Sequence, residues 1–126
     1  MKHIQECSVQ DPWFTLIQSG LKTVEGRLNK GRFAHFKKND IVRWFVKGTK
    51  KSCVTKVVQV VQYPSFAAML QTEKLELVLP GIPDVESGVK VYRKFYTKEK
   101  ENEFGVQAIR VCVLPNMTNR KRTRRS

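Results

Sequence analysis

The sequence predicts an α+β fold: a small β-barrel of about five to six mostly antiparallel strands, with helices covering its ends. Three observations carry this. Segments 41–46, 52–63 and 106–114 alternate apolar and polar side chains or run in β-branched residues, as half-buried strands do. The first two are joined by only five turn residues, 47–51, and so short a link implies antiparallel pairing. Between 65 and 104 the pattern changes to helical spacing with capping residues, so a helical insert precedes the last strand. A chain of 126 residues holds one core, and a few strongly twisted strands with helices at the ends favour a small barrel over a flat sheet.

Residues 3–9 alternate loosely and form a first strand. Asp11-Pro12 reads as an N-cap followed by the first helical position, and Trp13, Leu16 and Ile17 then share an apolar face until Gly20 ends the helix. A strand over 23–28 follows at once. Asn29-Lys30-Gly31-Arg32 is a turn, Phe33 and Phe36 bracket His35 as core residues, and Lys37-Lys38-Asn39-Asp40 is a second turn. In strand 41–46, Val42, Trp44 and Val46 oppose Ile41, Arg43 and Phe45, and Lys47-Gly48-Thr49-Lys50-Lys51 makes a basic hairpin tip. The parity break at Val57-Val58 and Val60-Val61 implies a bulge or burial on both faces. Phe66, Met69 and Leu70 mark a short helix over 65–71, while 75–79 is ambiguous between a further short helix and loop. Asp84 caps a helix with the apolar stripe Val85, Val89, Tyr92 and Tyr96, opposite Lys90, Arg93 and Lys94. Thr97 caps a charged helical turn, and Gly105 opens the last strand.

Composition narrows the function classes. Apolar content of 40% and charged content of 28% are those of a globular domain, and no apolar run approaches a membrane span. With no signal-type apolar segment at its start, the chain is expected to be intracellular, without a membrane partner and monomeric. Cys7, Cys53 and Cys112 are far apart and read as reduced, packed thiols; with His3 and His35 they give no metal-ligand spacing, so neither a metal nor a cofactor is expected. The net charge is +13, from 24 basic and 11 acidic residues. Five of the basic residues lie in 119–126, so 19 basic and 11 acidic residues leave +8 on 1–118. A polyanion, nucleic acid first, is the natural partner. The division is a domain over 1–115 and a basic, disordered tail over 116–126. Arg120 to Arg125 read as a nuclear import signal, an RNA arm or a solvated tail; the first would favour the nucleus over the cytoplasm.

The stretch Gly20-Leu21-Lys22-Thr23-Val24-Glu25-Gly26-Arg27 is the densest candidate site. Alternation puts Thr23, Glu25 and Arg27 on one strand face, with Lys22 at the strand's mouth. That arrangement suits a polar, partly anionic ligand; as a solvated strand face it would be a surface ion pair worth ~0–1 kcal/mol.

These residues, with Pro12-Trp13 and the Lys-Asn-Asp turn before the Trp44 strand, resemble the ASCH domain (activating signal cointegrator homology). Ser65-Phe66-x-x-Met69-Leu70, Leu79-Pro80-Gly81, Glu86-x-Gly88-Val89, Tyr92-Arg93-Lys94-Phe95-Tyr96 and Gly105-Val106-x-Ala108-Ile109 extend the resemblance over roughly 2–114. It implies a PUA-like β-barrel and association with RNA. Asn39 stands where the family usually has Gly, and Asn is the next-best residue for a left-handed turn. Some ASCH proteins hydrolyse the acetyl amide of N-acetylated cytidine with a Lys, a Thr and a distant Glu; others are described as ribonucleases. Carried over, the catalytic Lys matches Lys22. The Thr position holds Glu25, which lacks the hydroxyl nucleophile. Glu73 or Glu76 stands in loosely for the distant Glu.

Two functions follow. In the first, RNA or a nucleotide binds a basic cleft. Lys22 and Glu25 fix one nucleotide, Arg27, Lys30, Arg32, Lys90, Arg93 and Lys94 contact phosphates, and Trp44 or Tyr96 stacks a base. In the second, Lys22 and Glu25 are catalytic in a metal-free hydrolase acting on RNA or a modified nucleoside.

Overall fold

The computed structural model describes residues 4–115. The basic tail, with the Arg120 to Arg125 reading, lies outside the described residues, as does His3. The elements are β1 (Ile4–Ser8), α1 (Trp13–Ser19), β2 (Val24–Leu28), a 3-10 turn (Gly31–His35), β3 (Ile41–Phe45), β4 (Ser52–Tyr63), α2 (Phe66–Glu73), α3 (Leu75–Val78), α4 (Val85–Arg93), α5 (Lys98–Phe104) and β5 (Val106–Val113).

The strands form one sheet in the order β1-β3-β4-β5-β2, curled into a half-barrel. Only β1 with β3 is parallel; the other three pairs are antiparallel, and for β3 with β4 the short link between them dictates it. The register of β4 on β5 slips between Val57 and Gln59, so the parity break in the sequence is a bulge there. Such a bulge strengthens local twist and helps the sheet curl.

Alternation along β5 divides the interior. Ile109 and Val111 face a cluster with Cys7, Phe14, Ile17, Phe36, Val42, Trp44, Cys53 and Val57 inside the curl. Val106 and Ala108 face the other way, against Phe66, Met69, Leu70, Val78, Leu79 and Tyr92 of the helical layer. Asp84, Ser65 and Thr97 cap their helices as read: each side chain accepts from the backbone N–H three residues on.

Three local readings change. Pro12, not Asp11, occupies the N-cap of α1, while the Asp11 carboxylate accepts from Thr15 N–H at 3.0 Å and from its hydroxyl at 2.7 Å. Phe14 and Ile17 fill the core from that helix, and Trp13 is left half-buried at its start. The turn at 29–32 runs on into the 3-10 turn. Asn39 has φ +79°, the left-handed conformation that an Asn tolerates best after Gly.

Gly26 lets the helical layer close on β2. A Cβ there would lie 2.6 Å from Met69 Cε and 2.8 Å from the Tyr92 hydroxyl. Filling that space forces Met69 and the stacked Phe66–Tyr92 ring pair to shift. Gly26→Ala is therefore expected to cost about 1–3 kcal/mol, read as a lower urea midpoint at unchanged m. A variant as stable as the parent would show that this close approach does not set the spacing.

Candidate functional site

Burial decides what the Lys22–Arg27 segment is. Lys22 is 2% exposed and Glu25 7%. The Lys22 ammonium donates to the carbonyls of Val24 (2.7 Å) and Val78 (2.5 Å) and lies 3.1 Å from Glu25 Oε1. Arg27 Nε donates to Glu25 Oε2 at 2.7 Å, and Arg27 Nη2 donates to the Ser8 carbonyl at 2.9 Å. The guanidinium also lies over the Phe33 and Trp44 rings, 4.9 and 5.6 Å from their centroids. Lys22 is thus not at a rim but inside the molecule, and the solvated-face reading is overturned. Thr23 precedes β2 and lines a separate groove with Glu73 and Arg110, so it does not share the Glu25 face.

Charge follows from this geometry. Burial pulls Lys22 below the ordinary lysine value, against the carboxylate of Glu25. Burial alone would push Glu25 up, but Lys22 and Arg27 outweigh it and hold the carboxyl below its usual range. Three acceptors around the Lys22 nitrogen match the three N–H donors of an ammonium, so the charged form fits the hydrogen bonds.

The triad floors a cleft of about 520 Å³. Trp13 and Ser8–Asp11, Val91, Tyr92, Phe95 and Tyr96, and Val46 and Lys47 of the hairpin also line it. This volume lies within the ~300–1,000 Å³ of small-molecule sites. Tyr92 is nearly fully buried, and its hydroxyl has no hydrogen-bond partner of normal geometry. Burial first, then Glu25, raises that phenol well above its ordinary value.

The family model of the ASCH domain matches residues 7–115. The chain belongs to the ASCH family. The crystal structure of hypothetical protein PH0355 is similar at 38% identity with a TM-score of 0.82, over 89% of this chain and 100% of that one. A Pyrococcus furiosus protein solved by NMR is similar at 37% identity and TM-score 0.74, over 89% and 98%. An ASCH protein from Zymomonas mobilis shares the fold at 15% identity and TM-score 0.60, over 86% and 68%. Among curated proteins none matches. The half-barrel is PUA-like, as the resemblance implied.

Within this ASCH fold, Lys22, Glu25, Arg27 and Tyr96 converge on the cleft. Several other sequence candidates do not line it. Trp44 is 0% exposed inside the curl, with its indole N–H donating to Thr55 Oγ1 at 2.8 Å, so it has no face for a base. Lys30 packs over the Phe104 ring, and Arg32 Nη2 donates to the Glu6 carbonyl. Arg93 pairs with Glu101 at 2.9 Å; Lys90 and Lys94 are exposed outside the lining. Glu73 accepts from Arg110 Nε and Nη2, each at 2.8 Å, and from the Tyr63 hydroxyl, and Glu76 is exposed, so neither supplies a carboxylate to the cleft. Trp13 and Tyr92 were missed as lining residues because helical spacing reads them as core, and Phe95 was given no role. The signal for Phe95 was available: it lies off the apolar stripe, next to Tyr96. Among the described residues no cluster of His, Cys, Asp and Glu could hold a metal, and no helix is long and apolar enough to cross a membrane.

Glu25→Gln leaves the buried Lys22 and the half-buried Arg27 without a carboxylate and is expected to cost about 3–5 kcal/mol in chemical denaturation. The sign of the pH effect follows from the lowered folded value of Glu25. Its contribution is complete above the unfolded value of about 4.3 and is lost as pH falls through the folded value. The stability gap between parent and Glu25→Gln should therefore shrink in acid below about pH 4.3; a gap independent of pH would show that Glu25 is not ionised in the fold.

Proposed function

We propose that this chain is an RNA-binding module whose cleft holds one nucleotide. The observation that carries this is Phe95: a large aromatic 53% exposed, on the wall of a cleft floored by Glu25 and Arg27. Exposed aromatics beside a charged floor are what base stacking uses, since every base has a π-face. Trp13 also lines the cleft, and Tyr96 stands beside Phe95 with their ring centroids 6.4 Å apart. Arg27 uses two of its five N–H groups, on Glu25 and Ser8, and has the others for a ligand oxygen. The ASCH family is thought to bind RNA, which agrees.

The hydrolase alternative draws less from the geometry. All three Lys22 N–H groups are committed to Val24, Val78 and Glu25, so the amine has no donor for a leaving group and no lone pair for a proton. Glu25 itself faces two cations, and a carboxylate so paired is a poor base.

Filter binding of a single-stranded RNA oligonucleotide tests the reading. Phe95→Ala, which removes no core contact of the sheet, is expected to weaken binding by about 5- to 150-fold, the ~1–3 kcal/mol of one stacked base. The RNA should stay full-length on a denaturing gel after incubation. Equal affinity of parent and variant would remove the cleft as the binding site, and shortening of the RNA that Lys22→Met abolishes would restore the hydrolase.

A further inference from the structure

The basic hairpin tip between β3 and β4 is not absorbed by the cleft's floor, yet it stands at the cleft's edge. Lys47 lines the cleft directly. Lys47 and Lys50 are exposed, and among the described residues neither has an ion-pair partner. Three other basic groups nearby are engaged: Arg32 on the Glu6 carbonyl, Arg43 on Glu6 and Lys51 on Asp11.

The turn is built to hold its shape. Thr49 N–H and Thr49 Oγ1 both donate to the Val46 carbonyl, at 3.1 and 2.8 Å, and Lys51 N–H donates to Thr49 Oγ1 at 3.0 Å. Gly48 supplies the positive φ of +77°. The Lys51 ammonium then ties the turn to the segment that follows β1, through Asp11 Oδ2 at 3.0 Å, and Asp11 is itself fixed by Thr15. That pair also neutralises the one carboxylate at the cleft mouth on this side.

The floor holds Lys22, Arg27 and Glu25, a single net positive charge, and all three Lys22 N–H groups are committed. Its open donors are those of Arg27 alone, so the further phosphates of a strand that continues past the cleft meet the exposed lysines at its edge.

We propose that the β3–β4 turn is a phosphate ledge, on which Lys47 and Lys50 hold the sugar–phosphate backbone of an RNA strand as it leaves the cleft. This rests on the RNA-binding reading above. It commits to single-stranded RNA because the ledge is continuous with a cleft walled by aromatics, which an acidic peptide would not need.

The test is affinity for a single-stranded RNA oligonucleotide at four salt concentrations, for the parent, Lys47→Ala/Lys50→Ala, Phe95→Ala and Lys56→Ala. The last removes an exposed lysine outside the cleft lining. Each ledge lysine on a phosphate should lower the slope of log affinity against log salt by about 0.7, with about fivefold weaker binding per lysine near 0.1 M salt. Lys56→Ala should leave both unchanged. If Phe95→Ala weakens binding while the ledge variant keeps the parent's slope and affinity, the ledge is wrong and the cleft stands. If Lys56→Ala matches the ledge variant, the charge acts as a general field and the ledge is wrong. If the RNA does not bind the parent at all, the underlying reading fails.

Discussion

Glu25 is a single carboxylate between a buried cation, Lys22, and a half-buried one, Arg27, and three parts of the molecule meet on it. Through Lys22 it reaches the Val78 carbonyl of α3; through Arg27 it reaches the Ser8 carbonyl of β1. Taking these charges out of water costs several kcal/mol each, and only near-complete hydrogen bonding offsets it. Near-complete bonding is what the segment achieves, because Lys22 ends its chain among main-chain carbonyls that a helix and a strand leave free. The triad is therefore a brace between the helical layer and both free edges of the sheet. Its contribution is conditional: intact it holds the layers in register, and with one member gone the remaining charges work against the fold.

The same brace explains how a half-barrel remains open without exposing its edges. β1 and β2 end the sheet. Glu6 and Ser8 are two apart on β1, so their carbonyls point the same way. Arg32 donates to the first and Arg27 to the second. Two guanidinium groups thus take the part of a neighbouring strand's N–H groups. Direct pairing would bring β1 and β2 to within about 4.7–4.9 Å and shut the mouth. Closure by long side chains satisfies the edge and leaves room for the cleft, and a satisfied edge is also protected against pairing with another chain.

Much of this was legible in the sequence, for physical reasons that also mark where legibility stopped. Strand alternation, the bulge at Val57-Val58 and the caps Ser65, Asp84 and Thr97 are local, so spacing revealed them. The parallel pairing of β1 with β3 was not local and could not be read from turns. Glu25 and Arg27 were placed correctly on one face because period two is rigid. Lys22 was not, since its depth depends on where the Val78 carbonyl ends up, 56 residues further on. Trp44 was expected to offer a face to a base, and Phe95 was given no role, for a related reason. An aromatic in an alternating strand points into the curl here, whereas one just beyond the end of α4 escapes the helix's apolar stripe.

The distribution of charge separates attraction from discrimination. The chain carries +8 over 1–118, while the floor holds two cations and one carboxylate, a single net positive charge. Exposed lysines act over about a Debye length, roughly 8–10 Å, and weaken as salt rises. They can raise the rate at which a polyanion arrives but cannot tell one nucleotide from another. The buried floor is screened little and acts only at contact. There a carboxylate beside a guanidinium presents acceptor and donor together, which complements a ligand edge bearing both. In the proposed reading, then, salt should govern how strongly this ASCH domain holds a strand, while Glu25 and Arg27 govern which group enters the cleft.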